Sequence, residues 1–140
     1  MGIDNYFKSK AEIDQKNIKG LETLEQTFDS YLYHDKVDQD LFMQISLKEL
    51  QEYEWVKSPQ AWENGDINFF LAMYDISLLK KFPKLDKVLV TDTNKRWVPK
   101  IIELTKNPEN VLVVVGLLHL IGEDSVIDML SKKGLKVVQK

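Results

Sequence analysis

The chain has no cysteine, which removes disulfides, thiolate nucleophiles and Cys-based zinc sites together. Histidine is scarce, with only His34 and His119, so a site that needs several imidazoles cannot be assembled from this sequence alone. A dominant charge is lacking as well. The 19 basic residues meet 22 acidic ones for a net charge of −3, and no basic stripe marks a nucleic-acid surface. No apolar run approaches the ~20 residues that cross a bilayer. The segment after Met1-Gly2 lacks the charged and apolar regions of a signal peptide, and Tyr6 stands where an N-myristoylation signal has Ser or Thr. Compartment therefore stays open. Glycine-rich phosphate loops are missing, and Ser46, Ser58 and Ser125 lie on no nucleophile elbow.

What is present is 140 residues, 44% of them hydrophobic, enough for one compact domain with its own core. The strongest signal is Val111-Leu-Val-Val-Val-Gly-Leu-Leu-His119-Leu-Ile-Gly122. A continuous apolar run rich in β-branched residues reads as the core strand of a parallel sheet. Three further strands are expected at residues 17–21, 87–91 and 135–138. Between them the chain reads as helical. A helix is expected from Asp4, its plausible N-cap, to about Gln15. Thr23-x-x-Gln26 and Ser46-x-x-Glu49 match capping boxes. Ser58-Pro59 opens a short helix that ends at Gly65, and Asp66 caps the next. Ile67, Phe70, Leu71, Tyr74 and Leu78 then hold helical spacing. Asp92 or Thr93 is expected to cap a helix to about Lys106 that must accommodate Pro99. Asp124 opens the last helix, with Val126, Ile127 and Leu130 inward and Gly134 as its stop. The expected fold is α/β, a parallel or mixed sheet of about four strands with helices on both faces and a helical insertion over about residues 34–82.

In such a sheet ligands collect at the carboxyl ends of the strands. That edge would gather Glu22, the Asp92-Thr93-Asn94 stretch and Gly116 to His119, a carboxylate, an amide and an imidazole able to bind a metal or polarise a carbonyl. Each also has a plainer reading. Glu22 complements a helix dipole, Thr93 is a cap, Gly116 permits a tight turn, and His119 is a hydrogen-bonded structural residue. His34 reads as structural, Lys95 and Arg96 as solvated helix charges, and Trp55, Trp62 and Trp97 as core. A catalytic zinc site usually takes three protein ligands. His119 with Glu22 falls one short unless Asp92, His34 or another chain contributes.

These junctions resemble a known pattern. Gly2-Ile-Asp4-Asn-Tyr6-Phe7, Gly20-Leu21-Glu22-Thr23, Trp62-Glu-Asn-Gly65-Asp66, Asn94-Lys-Arg-Trp97 and Gly116-Leu-Leu-His119-Leu120-Ile-Gly122 occur in order. A closing helix and strand, Leu130 to Val137, follow them. The chain thereby resembles the C-terminal half of the TraB/PrgY/GumN family, to which the Tiki metalloproteases are related. The resemblance implies a metal-dependent, peptidase-like hydrolase site. His119 and Glu22 would meet the metal, Asn94 would be a companion, and Gly116, Gly122 and Thr93 would be motif and turn positions. Thr93 stands where the family commonly has Arg. The family pattern has two Gly-x-x-His motifs, and this chain has one. The resemblance therefore implies a half-site, inactive alone, with a divalent metal held in the complete protein and none held tightly by this chain. The expected partner is the missing N-terminal half or a second copy that covers an apolar sheet edge. The competing expectation is a non-catalytic α/β binding or assembly module, which predicts a stable dimer with no bound metal.

Overall fold

A computed structural model describes residues 2–32, 43, 44, 47, 58–75 and 78–139. Helix α1 (Ile3–Ile13) follows Gly2, so Asp4 sits in its first turn rather than capping it. There its charge still favours the helix dipole. The helix closes in a Schellman motif. The Lys16 N–H donates to the Ala11 carbonyl, the Gln15 N–H donates to that of Glu12, and Gln15 takes φ 52°. The expected capping box opens α2 (Leu24–Leu32), with Thr23 N–H to Gln26 Oε1 at 3.1 Å and Gln26 N–H to Thr23 Oγ1 at 3.2 Å. Helix α3 (Ser58–Glu63) ends at Gly65 with φ 63°. Asp66 caps α4 (Ile67–Asp75) by accepting from Phe69 N–H at 3.0 Å. The box at Ser46, Trp55 and His34 lie outside the described residues.

After α5 (Leu78–Lys81), Pro83 restarts the helix at its favoured first position as α6 (Pro83–Asp86). The buried Tyr74 hydroxyl donates to Asp86 and ties α4 to α6. The chain then stays helical through a wide π-helical turn, Lys87–Thr91, into α7 (Asp92–Leu104). The strand expected at residues 87–91 is thus a helical turn, and Asp92 and Thr93 are interior residues rather than caps. The physical reason is register. Leu85, Val90, Asn94, Val98 and Ile101 are all buried. A step of five from Leu85 to Val90 keeps them on one face only if the turn is one residue wider than α-helical. The Asp92 N–H reaches back to the Lys87 carbonyl. The Thr93 hydroxyl donates to the Val88 carbonyl at 3.2 Å and satisfies an acceptor in the widened turn. Pro99 lies on the exposed side of α7, as does Lys95, whose carbonyl loses its i+4 partner there.

No strand and no sheet is present among the described residues, which corrects the expected parallel α/β architecture. Residues 17–20, 110–116 and 135–139 carry no regular structure. The last two, and Leu21 just after the first, nonetheless lay apolar side chains on the core. Leu21, Val113, Val115 and Leu135 pack partly buried against Trp97, Val98, Ile101, Val126 and Leu130. An apolar run encodes burial, whereas a strand also needs a neighbour offering N–H and C=O groups in register. These segments find the first without the second. With the sheet goes the expected apolar sheet edge, and with it the expectation of helices on two faces.

The core is formed where α7 crosses α8 (Val126–Lys132). Ser125 caps α8 by accepting from Asp128 N–H at 3.1 Å, so the helix begins two residues after the expected Asp124. Gly134, at φ 86°, ends it in a Schellman motif that seats Leu135 against Leu130. Val126 and Leu130 face inward as expected, but Ile127 is 36% exposed. Trp97 is core as expected, whereas Trp62 is half exposed and meets Phe70 edge-on. Leu130→Ala is expected to lower unfolding stability by about 2–5 kcal/mol. Ile127→Ala should change it by less than about 1 kcal/mol. Urea denaturation of both variants checks this, and equal losses would contradict the α7–α8 core.

Candidate functional site

Asn94 lies on the inner face of α7 and has no solvent exposure. A buried amide must use its donor and its acceptor, since each one left unmet costs about 1–3 kcal/mol. Its Nδ2 donates to the Asp124 carbonyl at 2.9 Å. That carbonyl can only accept, so the amide is oriented with Oδ1 facing the other way, 2.8 Å from His119 Nδ1. Oδ1 can only accept as well, so Nδ1 carries the hydrogen. Neutral His119 is therefore held as the Nδ1–H tautomer, with its lone pair on Nε2. The ring lies against Trp97, with centroids 4.5 Å apart and planes inclined at 46°. Its position comes from a 3₁₀ turn, Leu117–His119, closed by the His119 N–H on the Gly116 carbonyl at 3.0 Å.

Burial holds the His119 imidazolium pKa below its ordinary value, and the nearby Glu22 carboxylate partly opposes this. Glu22 precedes the Thr23 cap of α2 and is held by Arg96, whose guanidinium donates to Glu22 Oε1 at 2.7 Å. The same guanidinium donates to Thr93 Oγ1 at 2.8 Å. Lys100 secures the same loop through the Leu21 carbonyl at 2.5 Å. The turn before Glu22 is tight: a Cβ on Gly20 would lie 2.9 Å from the Glu22 carbonyl oxygen.

Of the residues singled out in the sequence, the fold thus brings Glu22, Thr93, Asn94, Gly116 and His119 together. A tight turn does close on the Gly116 carbonyl, but Gly116 has φ −62° and the turn needs no glycine conformation there. A Cβ there would sit 3.7 Å from His119 Cδ2, in ordinary contact. Gly122 does not touch the ring. It stands at φ 79° beside Leu71, in the turn leading to Asp124. Arg96, read as solvated, is instead partly buried and anchors Glu22. No sequence signal paired Arg96 with Glu22, which lies 74 residues away in the chain. The Asp124 carbonyl had no signal of its own in the sequence. Among the described residues, no group of three or more His, Asp or Glu side chains is placed to hold a metal ion.

The TraB/PrgY/gumN family model matches residues 1–139. The chain belongs to the TraB/PrgY/gumN family. No curated protein and no solved structure matches it. The residues that converge on His119 are drawn from three of the ordered motifs of this TraB/PrgY/gumN chain, carried by the loop before α2, by α7 and by the 3₁₀ turn, and are joined by Asp124 from the loop before α8, which lies outside them.

Two outcomes are expected. The unfolded chain binds the His119 proton more readily than the folded one, so stability falls as pH drops through about 6.5 and below. Thermal melts between about pH 7.5 and 5.5 should show a steeper decline for the native chain than for His119→Gln, and equal slopes would remove His119 as the cause. Gly20→Ala should displace Glu22 from Arg96. The His119 titration, followed by NMR, should then move further below its ordinary range as it loses the carboxylate.

Proposed function

We propose that the chain carries part of a hydrolase-type site of its family, in which His119 Nε2 is the reactive nitrogen. Glu22 is the carboxylate beside it, and Asn94 is the residue that sets the ring. The observation supporting this reading is the pair of hydrogen bonds on Asn94. They dedicate Nδ1 to the protein interior and leave Nε2 with its lone pair, the arrangement common to histidines that act as bases or as metal ligands. Burial keeps the ring neutral near pH 7. Once a proton reaches Nε2, the Glu22 charge stabilises the imidazolium that results.

A resident divalent metal is part of what the family resemblance implies. Nε2 and a Glu22 oxygen suit such an ion, but Glu22 is already paired with Arg96, and a catalytic site usually takes three protein ligands. Two donors do not make that set. No step is therefore assigned to a metal, and donors outside the described residues, from a second copy or a further segment, would be needed to complete the site. On this reading the chain alone is not an active hydrolase.

The test is a Co²⁺ titration of the chain monitored at the His119 ring. His119 signals should shift first, and in His119→Ala the binding read at neighbouring backbone amide signals should be lost while the helical circular dichroism persists. Asn94→Leu should weaken binding by about 10–100-fold. Binding that survives His119→Ala unchanged would overturn the reading.

A non-catalytic assembly module is favoured by a separate observation. Helix α1 has no buried residue, and Ile13, Leu24 and Phe28 are 75%, 80% and 62% exposed. A metal-free dimer in light scattering with elemental analysis would support it, and a metal-free monomer would count against it.

A further inference from the structure

The amide that orients His119 is itself oriented by a backbone carbonyl in an uncommon conformation. Asp124 has φ 59°, the left-handed region, which costs a residue with a Cβ more than glycine even though aspartate tolerates it better than most. It follows Gly122 and Glu123 in a turn closed by the Ser125 N–H on the Gly122 carbonyl at 3.4 Å. A residue in this conformation persists when its surroundings hold it. Two contacts do so, one on each side of its peptide. The Asp124 carbonyl accepts from Asn94. The Asp124 N–H donates to Asp128 Oδ2 at 3.0 Å. The same carboxylate oxygen receives Lys132 Nζ at 2.7 Å.

We propose that Asp128 is a positioning residue for His119, acting through the left-handed Asp124 and the Asn94 amide. The sequence of contacts runs from the Asp128 carboxylate to the Asp124 N–H, across Asp124 to its carbonyl, and on through Asn94 Nδ2 and Oδ1 to His119 Nδ1. Each link has one donor and one acceptor, so its direction is fixed. Without the carboxylate, Asp124 loses the bond that opposes its backbone preference. Its carbonyl then turns away from Asn94. The amide, buried and short of an acceptor, is free to rotate by half a turn and present Nδ2 to the ring. A donor facing Nδ1 selects the opposite tautomer and places the hydrogen on Nε2. Asp128 thus decides whether the outward Nε2 is an acceptor or a donor, although it hydrogen-bonds to neither His119 nor Asn94. Ser125, which caps the same helix on Asp128 N–H, supports α8 without being a link.

This role rests on the proposed reading of His119 only for its consequence. Its test reads the tautomer directly and needs no activity. In ¹⁵N-labelled chain, ring ¹⁵N shifts should place the hydrogen on Nδ1 in the native protein. Asp128→Ala should shift the tautomer ratio toward Nε2–H by about five-fold or more, the factor one net hydrogen bond represents. Asp128→Asn keeps an acceptor for the Asp124 N–H and should retain the native ratio, as should Lys132→Ala. Ser125→Ala should lower the melting temperature and leave the ratio unchanged. The double variant Asp124→Gly with Asp128→Ala should restore it, because glycine adopts the left-handed conformation without help. It also serves if the single alanine variant does not fold. An unchanged ratio in folded Asp128→Ala, an equal shift in Ser125→Ala, or failure of the Asp124→Gly rescue would each overturn the proposal. An intact tautomer response with no Co²⁺ effect at His119 would instead sink the functional reading and leave this one standing.

Discussion

One buried amide sets the geometry of this molecule. Asn94 is fully enclosed, and both of its polar ends are used by segments far away in the chain, the Asp124 carbonyl and the His119 ring. The packing of α7 against α8 brings those segments near. The amide then fixes them to within hydrogen-bond tolerance, because a buried donor or acceptor left unmet would forfeit much of what the nearby core provides. Apolar contacts alone would tolerate sliding of the two turns over Trp97. The amide does not.

The π-helical turn before α7 makes that amide possible. Its extra residue rotates the helix ahead of it so that Leu85 and Val90 share the face of Asn94 and Val98. An ordinary α-helical turn would align Asn94 with the core and point Leu85 or Val90 away from it. The turn touches α2 and the 3₁₀ turn as well as its own neighbours along the chain, so the widening lies beside the candidate site. Thr93 serves both structures. Its hydroxyl donates into the widened turn and accepts from the Arg96 that holds Glu22.

The parts of this structure legible in the sequence were local. The Thr23–Gln26 box, the Asp66 cap and the stops at Gly65 and Gly134 each depend on residues within a few positions of one another, and each formed as expected. Glu22, Asn94 and His119 were singled out from their places at junctions and from ordered motifs, and they do come together. The route differs: a helix, a turn and a loop gather them rather than the edge of a sheet. The sheet was the error because the β-branched runs at residues 87–91 and 111–115 carry information about burial but none about a hydrogen-bonding neighbour. Arg96 and the Asp124 carbonyl were missed for a related reason. Their importance depends on a partner distant in the chain, Glu22 for Arg96, and on a backbone group that any residue supplies.

Gly116 adds a steric consequence. Its backbone is extended and would accept any side chain, so glycine is not there for conformational freedom. A Cβ would lie over Cδ2 of His119, the ring carbon bonded to Nε2. A bare glycine keeps that rim uncovered, and anything larger than a methyl would overhang it. A side chain longer than a methyl at position 116 would therefore compete for the space beside the ring edge that leads to Nε2.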